Sequence, residues 1–313
     1  MALAKQHQFC LRFIKIPSIL INITLSNLTS FESNVSYLKS QFSHLIKMKH
    51  YGLIGFPLSH SFSKKYFTEK FKNEGITDAK YELYPIEHIS ELIPLLHKHP
   101  DLCGINVTVP HKINVLKYLD WIEHDARNAG AVNCISITAE SPVVAAFSGE
   151  VGIKGHDFRL EGYNTDIYGF EMSLKPLLKN RHDQALILGD GGAAKAVKCV
   201  LDNLGISYKC VTRRAAPGNI LFSELKPHDI KRNLLIINTT PVGMSPNVDE
   251  CPPIPYEALT DDHLLYDLIY NPEQTLFLKK GAEKCAVTKN GYEMLVLQAE
   301  RSWEIWNSKD KHP

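Results

Sequence analysis

Residues 184–195 read Gln-Ala-Leu-Ile-Leu-Gly-Asp-Gly-Gly-Ala-Ala-Lys, and their order decides the fold. A short apolar strand, Ala185 to Leu188, enters the turn Gly189-Asp190-Gly191-Gly192, and a helix running from Ala193 to Leu204 leaves it. Glycine allows the tight turn and lets backbone amides approach a pyrophosphate, while the N-terminus of the next helix presents partial positive charge to it. A glycine-rich turn alone is weak evidence; with a strand before it and a helix after it, it reads as a dinucleotide site. Gly189, Gly191, Gly192 and Ala193 are therefore the candidate pyrophosphate positions. Asp190 is the awkward member, because a carboxylate repels phosphate unless its side chain turns away.

Toward the C-terminus, strand-like runs follow at 208–211, 234–238 and 264–268. The first of these ends in Thr212-Arg213-Arg214, where NAD-specific enzymes usually carry an acid for the ribose diol. Two guanidinium groups suit a 2′-phosphate instead, so NADP is the expected cofactor. Upstream, strands at 51–55, 81–84 and 105–109 alternate with helices at 64–73 and 89–97, each bounded by Gly, Pro or polar turns. Such alternation predicts a mostly parallel sheet covered by helices. A last helical stretch, 294–306, is apolar at Leu295, Leu297, Ala299, Trp303 and Trp306 and is expected to pack back on the first domain.

Composition agrees with a two-domain enzyme: 313 residues, 44% hydrophobic, is enough chain for two cores. The net charge is +1, and the first 47 residues carry five basic groups against Glu32 alone, which leaves a slightly acidic body. With no basic stripe, nucleic acid is an unsuitable partner. The seven cysteines are scattered, without Cys-x-x-Cys or zinc spacing, and read as reduced thiols of a cytoplasmic protein with no structural metal. Residues 1–47 look like an extension, disordered or lying ahead of a natural start at Met48. The Arg12 and Lys15 region with its Ser-rich continuation leaves an organelle-targeting segment as the other reading. The run Ile16 to Leu25, broken by Pro17, Ser18, Asn22 and Thr24, is too short and polar to span a membrane. The loosely patterned piece 137–158 is expected to form a long hairpin or exposed loop.

The first half has its own candidate chemistry. Asn106-Val-Thr108-Val-Pro-His-Lys112 puts polar groups at the end of a buried strand, where open α/β sheets bind ligands. A lysine there can give a proton to a carbonyl oxygen as hydride arrives. Asp166, in Gly162-Tyr-Asn-Thr-Asp166, is a carboxylate that could partner it, although singly Lys112 would pass for a surface lysine and Asp166 for a helix cap.

These segments together resemble the shikimate dehydrogenase family. The match begins at Tyr51-Gly-Leu-Ile-Gly-Phe-Pro-Leu-Ser-His60-Ser61-Phe-Ser63 and continues through Asn106 to Lys112, Ala129-Gly-Ala-Val-Asn133 and Asn164-Thr-Asp166. It resumes at Gly189-Asp-Gly-Gly-Ala193, Asn238-Thr-Thr-Pro-Val-Gly-Met244, Asp267-Leu-Ile-Tyr270-Asn-Pro and Gly291-Tyr-Glu-Met-Leu-Val-Leu-Gln298. Only residues 1–47 lie outside it. The resemblance implies a two-domain α/β fold: a mostly parallel substrate domain, 48–164 with 291–313, and a Rossmann-type doubly wound NADP domain, 165–290. It also implies NADPH-dependent reduction of 3-dehydroshikimate to shikimate, in a monomer or homodimer. By motif position, Ser61 and Ser63 would bind the substrate carboxylate with Tyr270 nearby, and Thr108, Asn133, Asp166 and Gln298 the ring hydroxyls. Lys112 and Asp166 would be the catalytic pair. Gly189 to Ala193 would hold pyrophosphate, Thr212 and Arg213 the adenosine end with its 2′-phosphate, and Leu268 and Gly291 the nicotinamide.

The sequence departs from the family pattern at Lys64, where a proline usually follows the second serine; at Asp190, usually alanine; at Arg214, usually threonine; and in the long stretch 134–163, expected to protrude rather than cross the cleft. The rival readings are an NAD-using quinate/shikimate dehydrogenase, for which the acid after Val211 is missing, and a non-catalytic regulatory homologue, against which Lys112 and Asp166 both argue.

Overall fold

The computed structural model describes residues 48–58, 61–139 and 157–308. The readings of 1–47 and of the connection 140–156 lie outside these residues. The first half contains β1 (Lys49–Gly55), α1 (Phe62–Asn73), β2 (Ala79–Pro85), α2 (Leu92–Lys98), β3 (Leu102–Val107), β4 (Trp121–Ile122), α3 (His124–Ala129), β5 (Cys134–Ala139) and β6 (Phe158–Tyr163). Its strands form one sheet in the order β2-β1-β3-β5-β6-β4. Only β5 opposes its neighbours; the other strands run one way, so the sheet is mostly parallel. β5 and β6 pair antiparallel from Cys134↔Tyr163 to Ala139↔Phe158, the two arms of a hairpin around the 137–158 region.

α1 shows why its sequence folds as it does. Ser61 caps it, accepting from the Lys64 amide at 3.4 Å, and Phe67 and Phe71, one turn apart, are buried against the sheet. The Phe67 ring stacks on Tyr81 of β2 at 4.6 Å. Lys64 explains itself here. Its backbone N–H, which a proline would lack, is the one Ser61 caps, and its ammonium reaches Glu82 of β2.

The chain continues through α4 (Thr165–Leu174), β7 (Gln184–Leu188), α5 (Gly192–Asn203), β8 (Ser207–Thr212), β9 (Ile220–Leu221), α6 (Pro227–Arg232), β10 (Leu235–Asn238), β11 (Leu264–Asp267), α7 (Leu276–Ala282), β12 (Val287–Lys289) and α8 (Tyr292–Asn307). The second sheet is wholly parallel, ordered β12-β11-β10-β7-β8-β9. Counted from β7, this is the doubly wound order 3-2-1-4-5-6, and chain direction through the sheet reverses between β7 and β10. β10 and β11 are buried along their whole length, which is why they read as apolar runs, broken only by the closing Asn238 and Asp267, rather than as alternating ones.

α8 returns to the first sheet. Trp306 stacks on Tyr51 at 4.9 Å, and its indole Nε1 donates to the Ile135 carbonyl at 3.0 Å. The start of α8 lies in the second core, where Met294 meets Ile167, Phe170 and Leu174 of α4. Gly169 makes that approach possible: a Cβ there would stand 2.5 Å from the Met294 carbonyl oxygen. α4 and α8 are thus pressed together and hold Asp166 and Gln298 in fixed relation. Among the described residues no helix is long and apolar enough to cross a membrane.

Candidate active site

A cavity of about 260 Å³ lies at the C-terminal ends of β1 and β3, where the order of the first sheet reverses. Ser61, Ser63, Thr108, Lys112, Asn133, Asp166 and Gln298 all line it, with Leu53, Leu58, Phe62, Val107 and Leu295 supplying apolar surface. Lys112 is carried by a turn fastened on both sides. The His111 amide donates to the Thr108 carbonyl at 2.9 Å, and the Val132 amide to the Lys112 carbonyl at 2.8 Å. The His111 ring is buried and held by the Ile86 carbonyl, 2.8 Å from Nε2. Asp166 sits in the first turn of α4, where the helix N-terminus favours negative charge. Lys112 Nζ and Asp166 Oδ2 are 2.6 Å apart, with side chains 21% and 17% exposed. The pair is therefore shielded but still open to the cavity.

Beneath the cavity runs a buried polar network. Asn133 Oδ1 accepts from the Thr165 amide at 2.7 Å and from its hydroxyl at 3.2 Å. The Thr165 hydroxyl also reaches Gln298 Oε1 at 3.4 Å and Ser302 Oγ at 3.2 Å. Asn106 joins the same web, taking the Tyr81 hydroxyl on Oδ1 at 2.9 Å and giving Nδ2 to Ser302 Oγ at 2.9 Å. Such groups are costly to bury unless each is paired, so this web fixes the orientations of Asn133 and Gln298. Ser61 is likewise oriented: its oxygen accepts the capping bond, leaving its O–H to donate into the cavity.

The Gly-rich turn follows β7 at the reversal point of the second sheet. Gly189 has φ +105, a conformation that an L side chain rarely adopts, and its amide donates to Val211 at 2.8 Å. At Gly191 and Gly192 an added Cβ would meet nothing within 4 Å, so open space lies before the first turn of the twelve-residue α5. Asp190 is turned onto Lys198, 2.5 Å from Oδ1, so its charge is met within the protein. Arg213 and Arg214, just past β8, are exposed. Open glycines at a helix N-terminus, a masked acid and exposed guanidinium groups fit a dinucleotide with a third phosphate. Leu268 and Gly291 are neighbours at the end of β11; a Cβ on Gly291 would fall 2.1 Å from the Leu268 carbonyl oxygen.

Residues 53–135 match the family model described as the shikimate dehydrogenase substrate binding domain. A shikimate dehydrogenase (NADP(+)) of Clostridium beijerinckii is 38% identical over 269 residues, covering 83% of this chain and 92% of that protein. One of Methanococcus aeolicus is 35% identical over 276 residues, with the same coverage of each. The chain belongs to the shikimate dehydrogenase family. Among solved structures, the shikimate 5-dehydrogenase of Thermus thermophilus in complex with NADP(H) and shikimate aligns at a TM-score of 0.67 with 26% identity, covering 83% of this chain and 94% of that one.

Of the positions that the resemblance to shikimate dehydrogenases singled out, seven meet in the one cavity. Tyr270 does not line it. The tyrosine is 39% exposed and stands behind Phe62, ring centroids 5.8 Å apart. Sequence reasoning passed over Phe62, Tyr81, Thr165 and Ser302. Phe62 lay between two serines already singled out, and Asn106 was visible as a polar residue in a buried strand. Ser302 had a weaker signal, a small polar residue one helical turn after Gln298 on the same face of α8.

Proposed function

We propose that this chain catalyses the reversible NADPH-dependent reduction of 3-dehydroshikimate to shikimate. The observation that carries the reading is the Lys112–Asp166 pair, 2.6 Å apart, in a cavity whose other polar walls are hydroxyls and amides. Hydroxyl and amide donors set around a small cavity select a polyhydroxylated acid more sharply than apolar contact could, because a wrong substrate leaves them unpaired. Ser61 and Ser63 hold the carboxylate; Thr108, Asn133 and Gln298 hold ring hydroxyls. NADPH, when bound, supplies the hydride. Lys112 gives its proton to the ketone oxygen as that oxygen becomes an alkoxide, and Asp166 keeps the ammonium in place and returns a proton to it from solvent. In the oxidative direction Lys112 takes the proton back.

The division of labour follows the two sheets: residues 48–164 with 291–313 bind substrate, and 165–290 bind the dinucleotide. Gly189, Gly191, Gly192 and Ala193 take the pyrophosphate, Thr212 and Arg213 the phosphorylated ribose, and Leu268 and Gly291 the nicotinamide. Cys134, Cys199, Cys210, Cys251 and Cys285 are free thiols, which suits a reducing compartment, and we place the enzyme in the cytoplasm as a monomer or homodimer.

Nicotinamide absorbance, followed with shikimate and quinate offered separately alongside NADP⁺ and NAD⁺, tests the reading. Turnover of shikimate with NADP⁺, lost in Lys112→Ala, is the expected result. Preference for quinate with NAD⁺ would refute the assignment of substrate and of Arg213, and binding of both ligands without turnover would refute the catalytic role.

A further inference from the structure

Asp190 stands in a turn read as meeting phosphate, whose charge its own would repel, and both of its oxygens are occupied. Lys198 Nζ lies 2.5 Å from Oδ1, and Asn219 Nδ2 donates to Oδ2 at 3.2 Å. Lys198 comes from the middle of α5. Asn219 closes the loop that begins with Arg213 and Arg214 and stands one residue before β9. One carboxylate therefore ties the Gly-rich turn to α5 and to the far end of the arginine loop. Burial alone would raise the Asp190 carboxyl, but the Lys198 and Asn219 hydrogen bonds outweigh it and hold the group below its ordinary range, so the clamp is ionic at neutral pH. Lys198 meets the acid, and neither Arg213 nor Arg214 forms an ion pair among the described residues. The near end of the loop is fastened separately, the Thr212 hydroxyl donating to the Arg214 carbonyl at 2.8 Å.

We propose that Asp190, Lys198 and Asn219 form a clamp that holds the Arg213–Arg214 loop against the Gly-rich turn, so that preference for a 2′-phosphorylated adenosine depends on an acid in the phosphate-binding turn. The inference rests on the reading of Arg213 as the group that meets the 2′-phosphate. The three are positioning residues. They act on the guanidinium groups and need not touch the ligand.

Two opposite signs separate this from plain electrostatics. If Asp190 acted only as a nearby negative charge, Asp190→Ala would favour the ligand with more phosphate and widen the preference. If it acts as a clamp, the same change frees the loop and narrows it. The test is calorimetric binding of adenosine 2′,5′-bisphosphate and of 5′-AMP to the full chain, which needs no turnover. Wild type is expected to prefer the bisphosphate, and Asp190→Ala and Asn219→Leu each to cut that preference about tenfold, the scale of one charge-assisted hydrogen bond. Shikimate affinity should stay within about twofold in both variants, which shows that the fold is intact. Asn219→Leu changes no charge and lies in a surface loop, so it serves if Asp190→Ala folds poorly. A wild-type preference near unity refutes the arginine reading and the proposal with it. A normal wild-type preference that both variants leave unchanged, or that Asp190→Ala widens, refutes the clamp alone.

Discussion

Asp267 closes β11 with no surface exposed, and the groups that reach its carboxylate in the structure are neutral. Asn238 Nδ2 and the Ile269 amide donate to Oδ1 at 3.0 and 3.1 Å, and the Thr275 hydroxyl to Oδ2 at 2.6 Å. Burial pushes its pKa up to about 6, and the hydrogen bonds from Thr275, Ile269 and Asn238 only partly offset this. A rise of about two units above the ordinary carboxylate value corresponds to about 3 kcal/mol. The folded value lies above the unfolded one, so the stabilisation linked to Asp267 is fully present below about pH 4 and is lost as pH rises through about 6. Asp267→Asn keeps the shape, retains an oxygen for Asn238 and Ile269, and offers an N–H to Thr275, whose hydroxyl can turn to accept it. The variant should then be more stable than wild type at pH 7 by up to about 3 kcal/mol, with the gap shrinking below about 1 kcal/mol at pH 4. Urea unfolding of both chains at half-unit steps from pH 4 to 7.5 measures this. If Asp267→Asn is instead the less stable protein at pH 7 and the gap closes on acidification, the three donors outweigh burial and the reasoning is wrong.

Three other outcomes follow from the same geometry. Asp166→Asn removes the carboxylate 2.6 Å from Lys112 and should lower turnover about a hundredfold or more, while calorimetric NADP⁺ affinity stays unchanged. Thr165→Val deletes the hydroxyl shared by Asn133, Gln298 and Ser302; thermal unfolding should register a loss of about 1–3 kcal/mol, and steady-state kinetics a rise in KM for shikimate but not for NADP⁺. Trp306→Ala empties the place where the indole lies against Gly104 and Tyr51 and should cost about 3–5 kcal/mol in urea unfolding.

The parts of the fold legible in the sequence are those whose physics is local. β7, the glycine turn and α5 could be read because an apolar run, a backbone constraint and a helix start lie within a few residues of one another. The strands β10 and β11 could be read because burial on both faces leaves them apolar up to their last residues, Asn238 and Asp267. β4, β9 and β12 hold two or three residues each, too few to carry any period, and exist because a neighbouring strand offers them hydrogen bonds. The 137–158 region read only as a long hairpin or exposed loop, without the bounds of β5 and β6, because the long connection between them removes the short turn that marks a hairpin.

The site divides along the same line. Lys112 and Asp166 stood out through the motifs around them, since each belongs to a turn or cap whose local chemistry is visible. Asn106 was visible too, but its partners in depth were not, because Tyr81, Thr165 and Ser302 come from three further elements and meet it only when α4 and α8 close over the first sheet. Singly, each is the kind of residue that ends a strand or caps a helix. What makes them a unit is burial, which leaves every hydroxyl and amide in the web dependent on another for its hydrogen bond. The contact that enforces this burial is made by Gly169, where the missing side chain lets α8 approach until Gln298 and Ser302 reach Thr165. A residue with no functional group thus sets the reach of those that have one, and that dependence is a property of packing that no single stretch of the sequence carries.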